Sequence, residues 1–438
     1  MEKVTVSKKA PLKVLMFFTS IILGIAWAAR GSFGHEQGAF WAGAVGTLAL
    51  VAVTNRKDWL QKAPVLVALG GLGWAVGGMM SYGVVLSYAK GNDFVNVFYG
   101  LSSIALLGAL YGFLGGGFFA LGLESNENNK PKWAALISEM FVGGFLFWGL
   151  FIYQLEWLMT PPRSELWAAV LGAAIAMAWH FYRHKFYKAL RVAAFTAIGA
   201  GFGFSFGNFI LVAGGASGLS YNFWNIMEFL IGFCGGLGMT YAVVTQEWPR
   251  SAKVSQKSNW FALVIVVLVI PLINFAETFT DKKLGKIAAI AGIENVEGFI
   301  TANQIVGLVI IAVTTLAAIY FWNKYKRNRE KLGSSVIPWF TFGLSGFYIV
   351  FVIIVNGLYF RGFPIGDSVT LYFPLLFIAC LLRFVIRNKK VVFGTKKGNK
   401  LSLNNFLLSV AVLLIILAII ALVIINTVGV DTATKRFV

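Results

Sequence analysis

The sequence predicts an all-α integral membrane protein, a polytopic bundle of about 13 transmembrane helices. Composition, run length and charge placement carry that expectation. Of the 438 residues, 58% are hydrophobic and 13% charged, against roughly 25% charged in a soluble domain. The apolar residues collect in runs near the roughly 20 residues that cross a bilayer as a helix. Lys and Arg fall between them. Backbone in hydrocarbon must satisfy its own hydrogen bonds, which favours helices. The strands of a membrane barrel would give short alternating segments instead of continuous runs.

In chain order, spans are expected at 12–29, 38–54, 64–88, 97–122, 133–155, 166–182, 190–213, 222–246, 259–277, 301–322, 335–359, 368–386 and 404–428. The first lacks a small-residue cleavage site and runs straight into Arg30, so it reads as a retained helix rather than a removed signal peptide. Cytoplasmic loops carry the excess of Lys and Arg. With the N-terminus inside and the spans alternating, the inside segments hold 28 of the 37 basic residues. Every inside loop is then basic. The expectation is a multi-pass protein of a cell membrane, of the bacterial cytoplasmic type, with N-terminus cytoplasmic and C-terminus outside. Trp59, Trp133, Trp157, Trp248 and Tyr325 at span ends read as interface anchors.

The same placement accounts for the net charge of +19. Positive charge at loops faces anionic headgroups, and no basic-aromatic module points to nucleic acid. Cys234 and Cys380 sit in separate spans as small packing residues. No Cys/His spacing suggests a metal. No Walker loop, kinase set or nucleotide fingerprint appears, so no cofactor is expected. The expected partners are the lipid bilayer and a polar small-molecule solute, with a homo-oligomer allowed.

Glycine use divides the chain near residue 255. Residues 1–250 hold 35 of the 48 glycines, and small residues let membrane helices approach closely. Residues 1–255 therefore read as a glycine-rich core of about eight helices, and 256–438 as a bundle of about five. Within the core, Gly71-Leu72-Gly73-Trp74-Ala75-Val76-Gly77-Gly78 parallels Gly201-Phe202-Gly203-Phe204-Ser205-Phe206-Gly207-Asn208. Gly112-Phe113-Leu114-Gly115-Gly116 likewise parallels Gly232-Phe233-Cys234-Gly235-Gly236. The hairpins 64–122 and 192–246 would be parallel repeats, with a fainter copy at 14–54. Repeated halves in transporters often frame the substrate site.

The most informative stretch is Arg30-Gly31-Ser32-Phe33-Gly34-His35-Glu36-Gln37-Gly38, which sets a cation, an imidazole, a carboxylate and an amide between two apolar runs. Charged groups at membrane depth are costly and tend to mark a cavity or a functional site. The repeat superposes His35 on Asn208 at the outer end of outgoing helices. The returning helix of the later copy adds Asn225 and Glu228, three residues apart and on one face. Arg30 is the nearest cation to Glu228 by expected depth, so a structural pair of Arg30 with Glu228 or Glu36 competes with a binding role. The candidate substrate-binding set is Arg30, His35, Glu36, Gln37, Asn208, Asn225 and Glu228. Glu139, two turns into its span among apolar neighbours, and Glu228 are candidate coupling carboxylates. His180 and His184 read as solvated interface residues. Asn274, Glu277, Asn303, Gln304, Asn356, Arg361 and Asp367 would border an outer vestibule.

The leading expectation is a permease or secondary transporter of a polar, anionic-capable small solute. The alternative is a membrane-embedded transferase acting on a lipid-linked or carbohydrate substrate at the outer face, with His35 as general base beside Glu36. Neighbouring residues on a helix point roughly 100° apart, which weakens that pairing. A scaffold whose polar groups only specify packing is the third reading.

Overall fold

The computed structural model describes residues 9–219, 221–343, 345, 371–387, 389–394 and 402–437. Among these the protein is all-helical, with two isolated bridges and no strand. Nine helices are long and apolar enough to cross a membrane, consistent with a multi-pass membrane protein. We label α1 (Leu12–Arg30), α2 (Glu36–Thr54), α3 (Ala63–Gly78), α4 (Phe94–Glu124), α5 (Trp133–Gln154), α6 (Trp167–Arg183), α7 (Tyr187–Ala216), α8 (Phe223–Val244), α9 (Gln256–Thr278), α10 (Val296–Lys324), α11 (Phe373–Ile386) and α12 (Leu403–Thr427). The spans expected at 64–88, 166–182 and 368–386 correspond to the shorter α3, α6 and α11. The one at 335–359 lies mostly outside the described residues, as do Asn356, Arg361 and Asp367.

Local chemistry sets several boundaries. Pro11, extended at φ −65°, precedes α1. The Asp93 side chain accepts from the Asn96 N–H at 2.9 Å and caps α4, satisfying one of the donors a helix start leaves open. Ser255 caps α9 in the same way through the Ser258 N–H at 3.0 Å. Within α9 a π-turn at Ile265–Val269 precedes Pro271, where the ring removes a backbone donor.

The expected span at 64–88 is corrected: it is two helices. α3 stops at Gly78, and a short helix, Gly83–Tyr88, follows. Consecutive glycines weaken a helix, and Gly78 lies directly on the backbone of His35 and Glu36, where any side chain would collide. The break delivers Tyr82 inward.

Six helices close into a ring in the order α1, α2, α3, α4, α7, α8 and back to α1, each packed on the next. Glycine permits the close approaches. Gly73 of α3 lies against the Leu114 carbonyl of α4, and Gly203 of α7 against the Leu230 carbonyl of α8. Trp74 reaches across from α3 to Gly43 of α2, Gly115 of α4 and Gly235 of α8. The α5–α6 hairpin packs outside against α4 and α7, while α11 covers α1, and α12 covers α4 and α7. Exposed apolar residues such as Phe141, Phe145, Leu407 and Ile415 lie on α5 and α12.

Loops sort to two ends. At one end Lys62 Nζ donates to the Gly122 carbonyl at 2.6 Å and Ser251 Oγ to the Leu123 carbonyl at 2.7 Å. Glu124 there accepts the Ala189 N–H at 2.8 Å, and the Ala10 N–H bonds the Lys390 carbonyl at 3.0 Å. At the other end Gln37 bonds Glu277, Ser87 bonds Thr434 at 2.9 Å and the Arg436 N–H bonds Asn96 at 2.6 Å. Ala10 and residues 430–437 thus lie at opposite ends.

Candidate functional site

α1 and α3 both run from the basic end toward the other one, and their last turns carry Trp27, Arg30 and Trp74. α1 turns into α2 through Gly34, whose φ of +92° is a left-handed conformation that favours glycine. That tight return holds Arg30 inside the ring, 1% exposed. α8 enters from the same end, its start capped by the Asn222 side chain accepting from the Asn225 N–H at 3.4 Å. Glu228, 5% exposed, follows nearly two turns from that cap.

Arg30 and Glu228 form a forked ion pair, with Nη2 donating at 2.8 Å to Oε2 and 3.0 Å to Oε1, and Nε at 3.2 Å to Oε2. A planar guanidinium suits such bidentate recognition. The Tyr82 hydroxyl accepts from Arg30 Nη2 at 3.2 Å and donates to Glu228 Oε1 at 2.9 Å. The guanidinium also stacks 4.9 Å from the Trp27 ring centre, a cation–π contact that grows stronger when water is excluded.

Around this triad the ring is filled by aromatic side chains. Trp27 and Trp74 lie 4.7 Å apart, Trp27 and Tyr111 5.1 Å, and Tyr82 and Phe204 5.2 Å. Four polar groups here are buried yet lack a hydrogen-bond partner among the described residues: Trp27 Nε1, Trp74 Nε1, the Tyr111 hydroxyl and both ends of the Asn208 carboxamide. Asn208 is fully buried on α7, one turn beyond Phe204 and on its face. Buried polar groups are nearly always satisfied, so several in one place require an explanation such as water or a ligand.

The other sequence candidates lie at the mouth. The His35 ring is exposed and sits 5.5 Å from Tyr82. Partial burial, then the Arg30 guanidinium, hold its imidazole below the ordinary range. Glu36 is exposed, and Gln37 bonds Glu277 of α9. Asn225 stands at the cap beside Glu228. The pairing of Arg30 with Glu228 is the competing structural arrangement foreseen from depth; Glu36 does not take part.

Glu139 lies elsewhere, on α5, with Oε2 2.9 Å from His180 Nδ1 and Oε1 bonded to Arg183 of α6. His180 is fully buried rather than solvated, because its end of α6 packs beneath the antiparallel α5. Tyr82, Trp27, Trp74 and Tyr111 were missed by the sequence reading. Their only signal was the Gly77-Gly78 to Gly83 interruption inside an apolar run. Among the described residues no His, Cys, Asp and Glu group could hold a metal. Comparison of the chain with family models, curated proteins and solved structures finds no match.

Proposed function

We propose that the chain is a multi-pass permease or secondary transporter that moves a polar, anionic small solute through the centre of the six-helix ring. The observation that carries this reading is the convergence of unsatisfied buried polar groups around one buried ion pair. A solute with a carboxylate or phosphate group would take the Arg30 fork from Glu228 and would hydrogen-bond Asn208, Tyr111 and the indole N–H groups. Protonation of Glu228 would free the guanidinium, which couples anion binding to proton entry. Trp27 and Trp74, on the basic-end side of Arg30, close the path below the solute. His35, Glu36, Gln37 and Asn225 form the entrance.

This reading places the basic end in the cytoplasm of a bacterial-type cell, with thirteen crossings. The ring is treated as three hairpins, α1–α2, α3–α4 and α7–α8, descended from one repeated unit. The division at residue 255 then separates this transport core from a surrounding bundle.

The test is flux. Protein reconstituted in vesicles is screened against organic acids, amino acids and sugar phosphates, and an anionic solute is expected to accumulate. The double variant Arg30→Met/Glu228→Met removes charge without leaving either group unpaired, an exchange that is often neutral for stability. It should fold and lose flux at least 100-fold. Undiminished flux in that folded variant would make the pair structural.

A further inference from the structure

At the basic end, the loops before α3, after α8 and after α10 enclose a cavity of about 240 Å³ lined by Asp58, Gln61, Lys62, Ser251, Lys253, Gln256, Lys326 and Arg329 among others. Two of its cations are built into the fold rather than waving in solvent. Lys62 is 3% exposed and Arg329 5% exposed. Lys62 Nζ meets only the Gly122 carbonyl, at 2.6 Å. Arg329 bonds the Trp322 carbonyl and stacks 3.4 Å from the centre of the Trp322 ring.

Neither cation has a carboxylate within ion-pairing distance among the described residues. The one acid in the wall is already engaged. Asp58 takes Arg56 Nη2 at 2.6 Å and Nε at 3.0 Å, and accepts the Ser251 N–H at 2.9 Å. Burial raises the Asp58 carboxyl, but the Arg56 and Ser251 hydrogen bonds outweigh it and hold the group below its usual range. Asp58 is thus hydrogen-bonded to Arg56 and not to Lys62, whose charge it and Glu127 offset only through space, while among the described residues no acid does so for Arg329. A buried unpaired cation is expensive, and here the space beside it is open, polar and fringed by two further lysines at the mouth.

We propose that this cavity binds a phosphate-bearing anion, either a soluble phosphate or the headgroup of an anionic lipid, as the counter-ion of Lys62 and Arg329. Lys62 supplies the ammonium, Arg329 a guanidinium edge, and Lys253 and Lys326 the mouth. Gln61, Gln256 and Ser251 offer hydrogen bonds. The anion cross-links the 55–63, 247–258 and 323–334 segments and holds the basic end together. The inference stands apart from the transport reading, since it concerns the opposite end of the molecule.

The experiment uses the full chain in neutral detergent at fixed ionic strength, titrated with inorganic phosphate while thermal unfolding is followed. A parallel arm compares phosphatidylcholine nanodiscs with and without phosphatidic acid. A saturable rise of the midpoint is expected, since an anion at 100 times its Kd lowers the unfolding constant about 100-fold. The rise should vanish in Lys62→Met and weaken in the exposed pair Lys253→Gln/Lys326→Gln. A rise with inorganic phosphate assigns a soluble anion. A rise only with phosphatidic acid assigns a lipid headgroup. No rise in either arm, or an equal rise in a cooperatively melting Lys62→Met, overturns the proposal. Where Lys62→Met does not fold, Arg329→Gln and the mouth pair decide, and unchanged phosphate dependence in both overturns it.

Discussion

Arg30 and Lys62 are both cations buried to within a few per cent, yet the protein treats them in opposite ways. Arg30, at the ring centre, has a carboxylate in bidentate contact, a tyrosine bridging the two and an indole beneath it. Lys62, at the basic end, has one carbonyl and an open polar cavity. Desolvating a charge costs several kcal/mol, and a partner returns that energy only with good geometry. At the centre the compensation is internal, so a ligand has to compete for it. At the basic end it comes only through space, from Asp58 and Glu127 without direct contact, so a ligand displaces no partner. An internally paired site can gate binding through the partner's protonation, whereas an unpaired one binds constitutively.

The largest expected effect breaks the first half of that comparison. Glu228→Ala leaves Arg30 charged and alone, which should cost about 3–5 kcal/mol, read as a fall in the thermal midpoint in detergent. The Arg30→Met/Glu228→Met double variant should recover most of that loss. A single variant as stable as the wild type would mean that water already compensates Arg30.

The second prediction sharpens the contrast at Lys62. Burial is the main cause that lowers its pKa from 10.5 to about 8; Arg56 lowers it further, while Asp58 and Glu127 raise it. The folded value lies below the unfolded one, so the unfolded chain binds the proton more tightly. The penalty is then fully present below pH 8 and is relieved as pH rises toward 10.5. At about 1.4 kcal/mol per pH unit of that displacement, it amounts to about 3 kcal/mol. Without added phosphate or anionic lipid, the unfolding midpoint should climb between pH 7.5 and 10 in the wild type. Lys62→Met should start higher and lack that part of the climb. Identical profiles would show that Lys62 is solvated in the protein.

Much of the ring centre was legible in the sequence, and the reasons are particular. Arg30 ends an outgoing apolar run and Glu228 lies inside a returning one, so depth alone brought them together. Asn208 entered the candidate set by its alignment with His35 in the expected repeat, not by depth. Tyr82 was not, because 64–88 reads as one apolar run; the contact of Gly78 with the His35 and Glu36 backbone, which no local pattern encodes, fixes the break. Trp27, Trp74 and Tyr111 resemble ordinary packing aromatics until the ring closes and orphans their polar atoms. Lys62 looked like one more topogenic lysine, since its burial depends on loops some 190 and 265 residues away in sequence. His180 was misread because its burial depends on which face of α6 meets α5.

The smallest effect is expected at Glu139, the other carboxylate that membrane depth had marked for coupling. Its side chain is 27% exposed and its partner Arg183 46%, so this pair keeps much of its hydration. Exposed ion pairs contribute about 0–1 kcal/mol. Glu139→Gln retains an oxygen that accepts from His180 Nδ1 and loses only the charge. Its midpoint should fall by less than about 1 kcal/mol equivalent, and its solute flux should keep the wild-type pH dependence. Glu228→Gln should instead abolish that dependence, because the guanidinium its proton would release, Arg30, is buried at the ring centre, whereas Arg183 is half exposed outside it. If Glu139→Gln flattens the pH profile and Glu228→Gln leaves it intact, the coupling carboxylate lies at the α5–α6 hairpin. The Arg30 site would then bind solute without sensing protons.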